Sequence, residues 1–297
     1  MDAPGTGERF LVGLVGAGIG TSLSPPLHER EADHQGLRYL YQVIDIADLG
    51  LPAGAVGELM AAARRFGFRG LNITHPCKQA AVDHLDQMSP DAAAIGAVNT
   101  VVWSGGVSVG YNTDWYGFTK SFEQGLPGAA ARRVVLLGAG GAGAAVAHAL
   151  LWLGTDRLTV VDADAGRAGR LVTALVDRFG ADRVDGGGPE LLAERLAGAD
   201  GLVNATPVGM AAYPGTPLPV RLLRPDLWVV DIIYRPLETE LLRRAREIGC
   251  RTLGGGGMVV FQAAEAFRLF AGVAPDAERM LRHFEVLTSA DVGAGRG

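Results

Sequence analysis

The sequence predicts an α/β protein of two domains, and three observations predict it. Short apolar runs alternate with stretches of helical spacing along most of the 297 residues, the pattern of strand–helix units around mainly parallel sheets. One such unit carries the glycine run Gly138-Ala139-Gly140-Gly141-Ala142-Gly143 between an apolar run and a helix. The chain is also long enough to build two cores. The expected division puts residues 1–112 in one domain, completed by 258–297, and residues 113–257 in the other.

The glycine run is the most informative stretch. Arg133-Val134-Val135-Leu136-Leu137 is short enough for a buried parallel strand, and 144–153 reads as a helix closed by Gly154. Leu158-Thr159-Val160-Val161 is a second strand and ends at Asp162, nineteen positions past Gly143. A ribose-binding acid is expected about 20 residues past such a run. Glycines let the backbone turn tightly and approach a pyrophosphate, whose charge then rests on unpaired N–H groups at a helix N-terminus. A glycine-rich turn in some other α/β protein is the plain alternative. Strand, helix, second strand and acid together favour a Rossmann-type dinucleotide-binding domain.

Composition narrows the partners. Hydrophobic residues make up 48% and charged residues 20%, ordinary for a globular protein. A net charge of −5 offers nothing global to nucleic acid or an anionic membrane. No apolar run reaches spanning length and no signal peptide is read at the N-terminus. Cys77 and Cys250 lack metal-ligand spacing, so the chain reads as a reduced, cytoplasmic protein with no metal. Only Lys78 and Lys120 are lysine among 27 Lys and Arg. Arginine keeps its proton in proteins whereas lysine can lose it. Lysine kept in an arginine-rich chain therefore suggests a place for a titratable amine. Chance suffices for Lys120, while the neighbours of Lys78 make the sharper reading plausible.

Along the chain, residues 1–9 read as a flexible arm and 10–16 as a first strand. A helix is expected from near Pro26, a residue type tolerated in a first turn. Ser22 and Ser24 alternate just before it; two such hydroxyls cap a helix, the commoner use, or hold a small carboxylate. Residues 38–45 are a strand, 55–66 an amphipathic helix, and 70–74 a strand running into His75-Pro76-Cys77-Lys78. Asn72 and Thr74 share a face there, and 78–86 reads as helical. His75 is more simply a loop histidine than a catalytic one. Residues 97–103 and 108–112 suggest a hairpin, and Asp114 is placed as an N-cap. Beyond Asp162, helices are expected at 167–179, 189–197, 238–248, 259–270 and 276–287, strands at 201–206, 227–234 and 251–253, with 288–297 fraying. Gly254-Gly255-Gly256-Gly257 requires unusual dihedrals or a close approach to a ligand.

These motifs, in this order, resemble the shikimate/quinate dehydrogenases over roughly residues 11–286. The matching stretches are Ser22-Leu23-Ser24-Pro25 with His28, 70–78, Gly96-Ala97-Val98-Asn99-Thr100, 110–114 and Gly138–Gly143. Further on they are 204–210, Asp231-Ile232-Ile233-Tyr234, and 258–264 with Gln262. The resemblance implies a substrate domain and a dinucleotide domain with a cleft between them. It implies that Ser22, Ser24 and a nearby tyrosine hold the substrate carboxylate. Asn72, Thr74, Asn99, Asp114 and Gln262 would bind ring hydroxyls, with Tyr234 near the substrate. Lys78 and Asp114 would be the catalytic pair, Lys78 moving the proton. Gly138, Ala139, Gly140, Gly141, Ala142, Asp162 and Arg167 would hold the dinucleotide. Thr206, Pro207, Met210, Gly255 and Met258 would line its nicotinamide end.

The cofactor expected is NAD rather than NADP. NADP-using relatives carry an Asn-Arg-Thr-type stretch after the second strand, where this chain reads Val161-Asp162-Ala163-Asp164. Like charges about 4 Å apart cost roughly 4 kcal/mol at an effective dielectric near 20, and less when exposed. Even about 2.7 kcal/mol is a hundredfold preference. Arg167 offsets this, stacks on adenine, or is a plain surface arginine. The acid resembles the branch tied to quinate catabolism rather than to the shikimate pathway of aromatic amino acid biosynthesis. Ser24, where some quinate-active relatives carry threonine, favours shikimate over quinate. Alternatives are an NADP-dependent biosynthetic shikimate dehydrogenase, an enzyme for an amino analogue of the ring, and a non-catalytic dinucleotide sensor. A homodimer is compatible with the sequence.

Overall fold

The computed structural model describes residues 9–294, with side chains through Ser289. Most of the arm expected at 1–9 lies outside the described residues; Arg9 already belongs to the first strand. The chain divides into two units. One runs to Thr113 and resumes at Val260; the other is Asp114–Val259.

The first unit opens with β1 (Arg9–Gly16), α1 (Ser24–His34), β2 (Arg38–Asp45), α2 (Val56–Arg65) and β3 (Gly70–Ile73). Then follow a 3-10 turn (Ala80–His84), β4 (Gln87–Met88), α3 (Pro90–Ile95), β5 (Thr100–Ser104) and β6 (Val107–Tyr111). The strand order is β2-β1-β3-β5-β6-β4. β1 pairs in parallel with β2 and β3, while the β5–β6 hairpin joins β3 antiparallel. Side chains alternate across the sheet. Val15, Leu71 and Ile73 meet Val56 and Met60 on one face. Val12, Leu14 and Tyr41 meet Phe270 on the other.

The second unit holds α4 (Thr113–Gly125), whose first residue closes the first unit, then β7 (Arg133–Leu137), α5 (Gly141–Trp152), β8 (Arg157–Val161) and α6 (Ala165–Phe179). β9 (Val184–Gly187), α7 (Leu192–Ala197), β10 (Gly201–Asn204), β11 (Trp228–Asp231), α8 (Glu240–Ile248) and β12 (Arg251–Leu253) follow. The strand order is β12-β11-β10-β7-β8-β9, every pair parallel. This is the doubly wound order of a Rossmann-type sheet, which reverses direction between β7 and β10. Phe118, Val146, Leu150 and Trp228 fill one face, and Leu137, Leu202, Val229 and Leu241 the other. α9 (Gly256–Ala271) starts in this unit and continues into the first, which ends with α10 (Ala277–Ala294).

Several expected bounds move. α1 begins at Ser24, so Pro25 and Pro26 both lie in its first turn. Residues 78–86 form only the 3-10 turn, not an α-helix. α4 begins at Thr113, which puts Asp114 inside the helix instead of at its N-cap. α10 continues through Ala294 where fraying was expected from 288. No helix among the described residues is long and apolar enough to cross a membrane.

Candidate functional site

In the first unit, the predicted polar residues form one hydrogen-bonded series. Ser22 and Ser24 are half-buried, and Ser22 Oγ accepts from the Ser24 N–H, the first of α1, at 3.2 Å. Ser24 hydrogen-bonds Tyr41, whose hydroxyl burial holds well above the usual tyrosine range. Tyr41 in turn donates to Asn72 Oδ1 at 2.7 Å. The Asn72 amide donates to Thr100 Oγ1 at 2.9 Å and to the Asn99 carbonyl at 3.2 Å. Asn99 Oδ1 accepts from the Thr113 N–H at 2.7 Å, and its amide donates to Thr113 Oγ1 at 3.0 Å and Gln262 Oε1 at 3.4 Å. Buried polar groups are costly unless satisfied, and a satisfied network fixes side-chain orientation. Asn72, with both amide hydrogens committed and one bond accepted, is more a brace than the open ligand expected of it.

The loop after β3 carries the rest. Thr74 is half-buried and its N–H bonds the Val15 carbonyl at 2.9 Å. Lys78 is half-buried, and its carbonyl accepts from Val98 N at 3.1 Å. His75, between them, is exposed. A larger residue at Gly16 would force Thr74 to shift, because a Cβ there would lie 2.3 Å from Thr74 Cγ2.

In the second unit, the glycines divide the work. Gly138 has φ +98°, and a Cβ would lie 2.7 Å from the Ala205 carbonyl. A Cβ on Gly143 would lie 2.0 Å from the Gly138 carbonyl, so α5 packs directly on the turn. Gly140 has nothing within 4 Å of a Cβ position and stands at the N-cap of α5 without a side-chain cap. No acidic residue lies in that first turn, where Gly141 and Ala142 are half-buried. An uncapped helix start beside a bare backbone suits a pyrophosphate. These residues therefore fit a dinucleotide.

Asp162 is 9% exposed at the end of β8. Its Oδ2 accepts from Ala139 N at 2.7 Å and its Oδ1 from Asp164 N at 2.9 Å. The lone pairs that remain can accept from ribose hydroxyls. Arg167 Nε lies 3.7 Å from Asp162 and 3.8 Å from Asp164, a pairing that the sequence left among three uses.

The loops after β10 and β11 are held by one buried acid. Asp231 Oδ1 accepts from Asn204 Nδ2 at 3.1 Å and Ile233 N at 3.1 Å, and its Oδ2 from Thr239 Oγ1 at 2.7 Å. Burial pushes its carboxyl up, and the three donors pull the other way. Asn204 Oδ1 accepts from the Thr206 N–H and hydroxyl at 3.0 and 2.7 Å. Thr206 is thus set in a half-buried position, while Pro207 and Met210 are exposed. Tyr234 is half-buried, and burial raises its hydroxyl. Gly255 lies against the same segment: a Cβ would be 2.1 Å from the Ile232 carbonyl. Close approach, not an unusual dihedral, explains this glycine, but the approach is to backbone. Met258 packs against the hydrophobic core at 8% exposure. Asp114 is buried at 7% in the first turn of α4.

Sequence reading missed Tyr41, Thr100, Thr113, Asn204 and Asp231 as parts of these networks. Asn204 and Asp231 each end an apolar run, which was a signal for them. Tyr41 lay in a run read only as a strand, with nothing in its type or spacing to set it apart.

Fold and site together define a two-unit α/β protein with a dinucleotide-type turn in one unit and a hydroxyl- and amide-rich network in the other. A family model for the shikimate dehydrogenase substrate binding domain matches residues 14–101. A shikimate dehydrogenase (NADP(+)) of Streptomyces avermitilis is 61% identical, over 93% of this chain and 95% of its own. A quinate/shikimate dehydrogenase (NAD(+)) of Corynebacterium efficiens is 46% identical, over 93% and 98%. The quinate dehydrogenase from Corynebacterium glutamicum, solved in complex with NAD, superposes with a TM-score of 0.88 at 45% identity, covering 94% and 99%. The chain belongs to the shikimate dehydrogenase family.

Proposed function

We propose that this chain is a nicotinamide-dependent dehydrogenase that interconverts shikimate and 3-dehydroshikimate, and quinate with its 3-dehydro form, with NAD preferred. The dinucleotide, when bound, supplies the hydride acceptor. The substrate hydroxyl must also lose its proton, and Lys78 is the group that takes it. Asp114 is the second catalytic group and orients the reacting hydroxyl. Ser22 and Ser24 hold the carboxylate, and Asn99, Thr74 and Gln262 the ring hydroxyls. The uncapped start of α5 takes the pyrophosphate.

Asp162 carries the cofactor preference. A buried carboxylate whose oxygens already serve as acceptors suits ribose hydroxyls and disfavours a phosphate. The opposite preference has its own support. Arg167 lies beside Asp162, Arg170 is 3.9 Å from Asp164, and the Streptomyces relative bears the NADP(+) name. Initial rates with both acids and both dinucleotides separate the two. The proposal expects kcat/KM with NAD at least tenfold above that with NADP. A tenfold reversal would move the chain to the NADP-dependent reading.

A further inference from the structure

One acid outside the predicted site accepts from three backbone N–H groups, two of them in the turn after β1. Asp45 ends β2 and is 8% exposed. Its Oδ1 accepts from Gly18 N and Ala47 N, each at 3.0 Å, and its Oδ2 from Ile19 N at 2.7 Å. Burial alone would push this carboxyl up; the N–H groups of Ile19, Gly18, Ala47 and Asp48 outweigh it and hold it below the usual carboxylate range. Charge-assisted bonds to backbone N–H are the stronger kind.

The clamped turn is the one that carries the serines. The Ile19 carbonyl accepts from Ser22 N at 2.9 Å, and Ser22 Oγ from Ser24 N at 3.2 Å. Ala17 N bonds the His75 carbonyl at 3.0 Å, three residues before Lys78. Gly18 lies at φ +66°, a conformation that needs holding as well as a glycine. The second unit repeats the device. There Asp162, one residue past the second strand of a β–α–β unit where Asp45 is the last residue of its own, takes the N–H of Ala139 in the turn after the first strand. Each unit thus locks its ligand-facing turn with a carboxylate from the neighbouring parallel strand.

We propose that Asp45 is a positioning residue for substrate binding: its carboxylate clamps the β1–α1 turn, presetting Ser22 and Ser24 and, through His75, the segment entering Lys78. This rests on the reading that the serines hold the substrate. The test is steady-state kinetics of Asp45→Asn and Asp45→Ala with shikimate and NAD, beside Ser22→Ala, Ser24→Ala and Asp86→Asn. Asn keeps one acceptor oxygen but turns an amide toward a donor, so both Asp45 variants should raise shikimate KM, Ala by tenfold or more. The KM for NAD should stay within twofold. Asp86 accepts from Ser108 N and Oγ at 2.7 and 2.8 Å in the same unit, so Asp86→Asn should lower Tm and move neither KM. A merely structural role for Asp45 would behave like Asp86. An unchanged shikimate KM in the Asp45 variants, beside a raised one in the serine variants, overturns the inference alone. An unchanged KM in the serine variants overturns the substrate reading itself. Failure of both Asp45 variants to fold also overturns the inference, since a local clamp should cost order in one turn and not the fold.

Discussion

His28 is enclosed by Tyr39, Tyr41, Phe267 and Phe270, with its ring 4.9 Å from that of Tyr41. Its Nδ1 meets the Tyr39 hydroxyl at 3.0 Å, and its Nε2 has no partner among the described residues. Burial drives the imidazole down to about 3. The unfolded chain takes up this proton near pH 6.5 while the folded chain refuses it. The stabilising effect of neutral His28 is therefore full above pH 6.5 and is lost as pH falls toward about 3. Urea unfolding at pH 7, 6 and 5 should show this group's contribution falling by under about 1 kcal/mol from pH 7 to 6 and by about 1 kcal/mol from pH 6 to 5, as the unfolded chain titrates through pH 6.5. His28→Asn should lower stability at pH 7 and flatten the slope by about that amount; an unchanged slope would remove His28 as its source. At this scale the sequence was legible where chemistry is local. Ser22, Ser24, Lys78 and Asp162 stood out by type and spacing. Asp45 and Tyr41 did not, because their partners lie 26 to 31 residues away and only the β1–β2–β3 pairing brings them together.

Elements were legible where length and caps agreed. α5 is placed by the glycine run on one side and by Gly154, at φ +97°, on the other. The last glycine of the run, Gly143, is a packing residue, and it offers a test of the element. The Cβ of Gly143→Ala would fall 2.0 Å from a backbone carbonyl, so the turn or α5 must shift. Overpacking of this kind costs about 1–3 kcal/mol. Fluorescence titration with NADH should show affinity lowered at least tenfold, with shikimate KM within twofold of wild type. Unaltered NADH affinity would detach Gly143 from the binding turn. The elements missed were short: β4 has two residues and β9 contains Gly186 and Gly187. At Gly186 a Cβ would lie 2.3 Å from the Val160 carbonyl, a close strand approach that sequence periodicity cannot display. Residues 78–86 kept a helical pattern, yet the segment leaves its 3-10 turn at Leu85 in an extended conformation.

For the whole molecule, alternation of strands and helices conveyed the two sheets, but not the order of strands within them. The antiparallel hairpin β5–β6, inserted beside β3, turns the first sheet mixed. The second keeps the uniform parallel order that a dinucleotide turn requires at its reversal point. The account assigns substrate recognition to one unit, dinucleotide recognition to the other, and proton transfer to a lysine in an arginine-rich chain. Lys78→Arg separates these assignments, because it keeps the charge and removes the titratable amine. The decisive measurement is turnover of Lys78→Arg with shikimate and NAD, alongside binding of each ligand. The account predicts both affinities within threefold of wild type and kcat at least a hundredfold lower. Turnover above a tenth of the wild-type rate would contradict it.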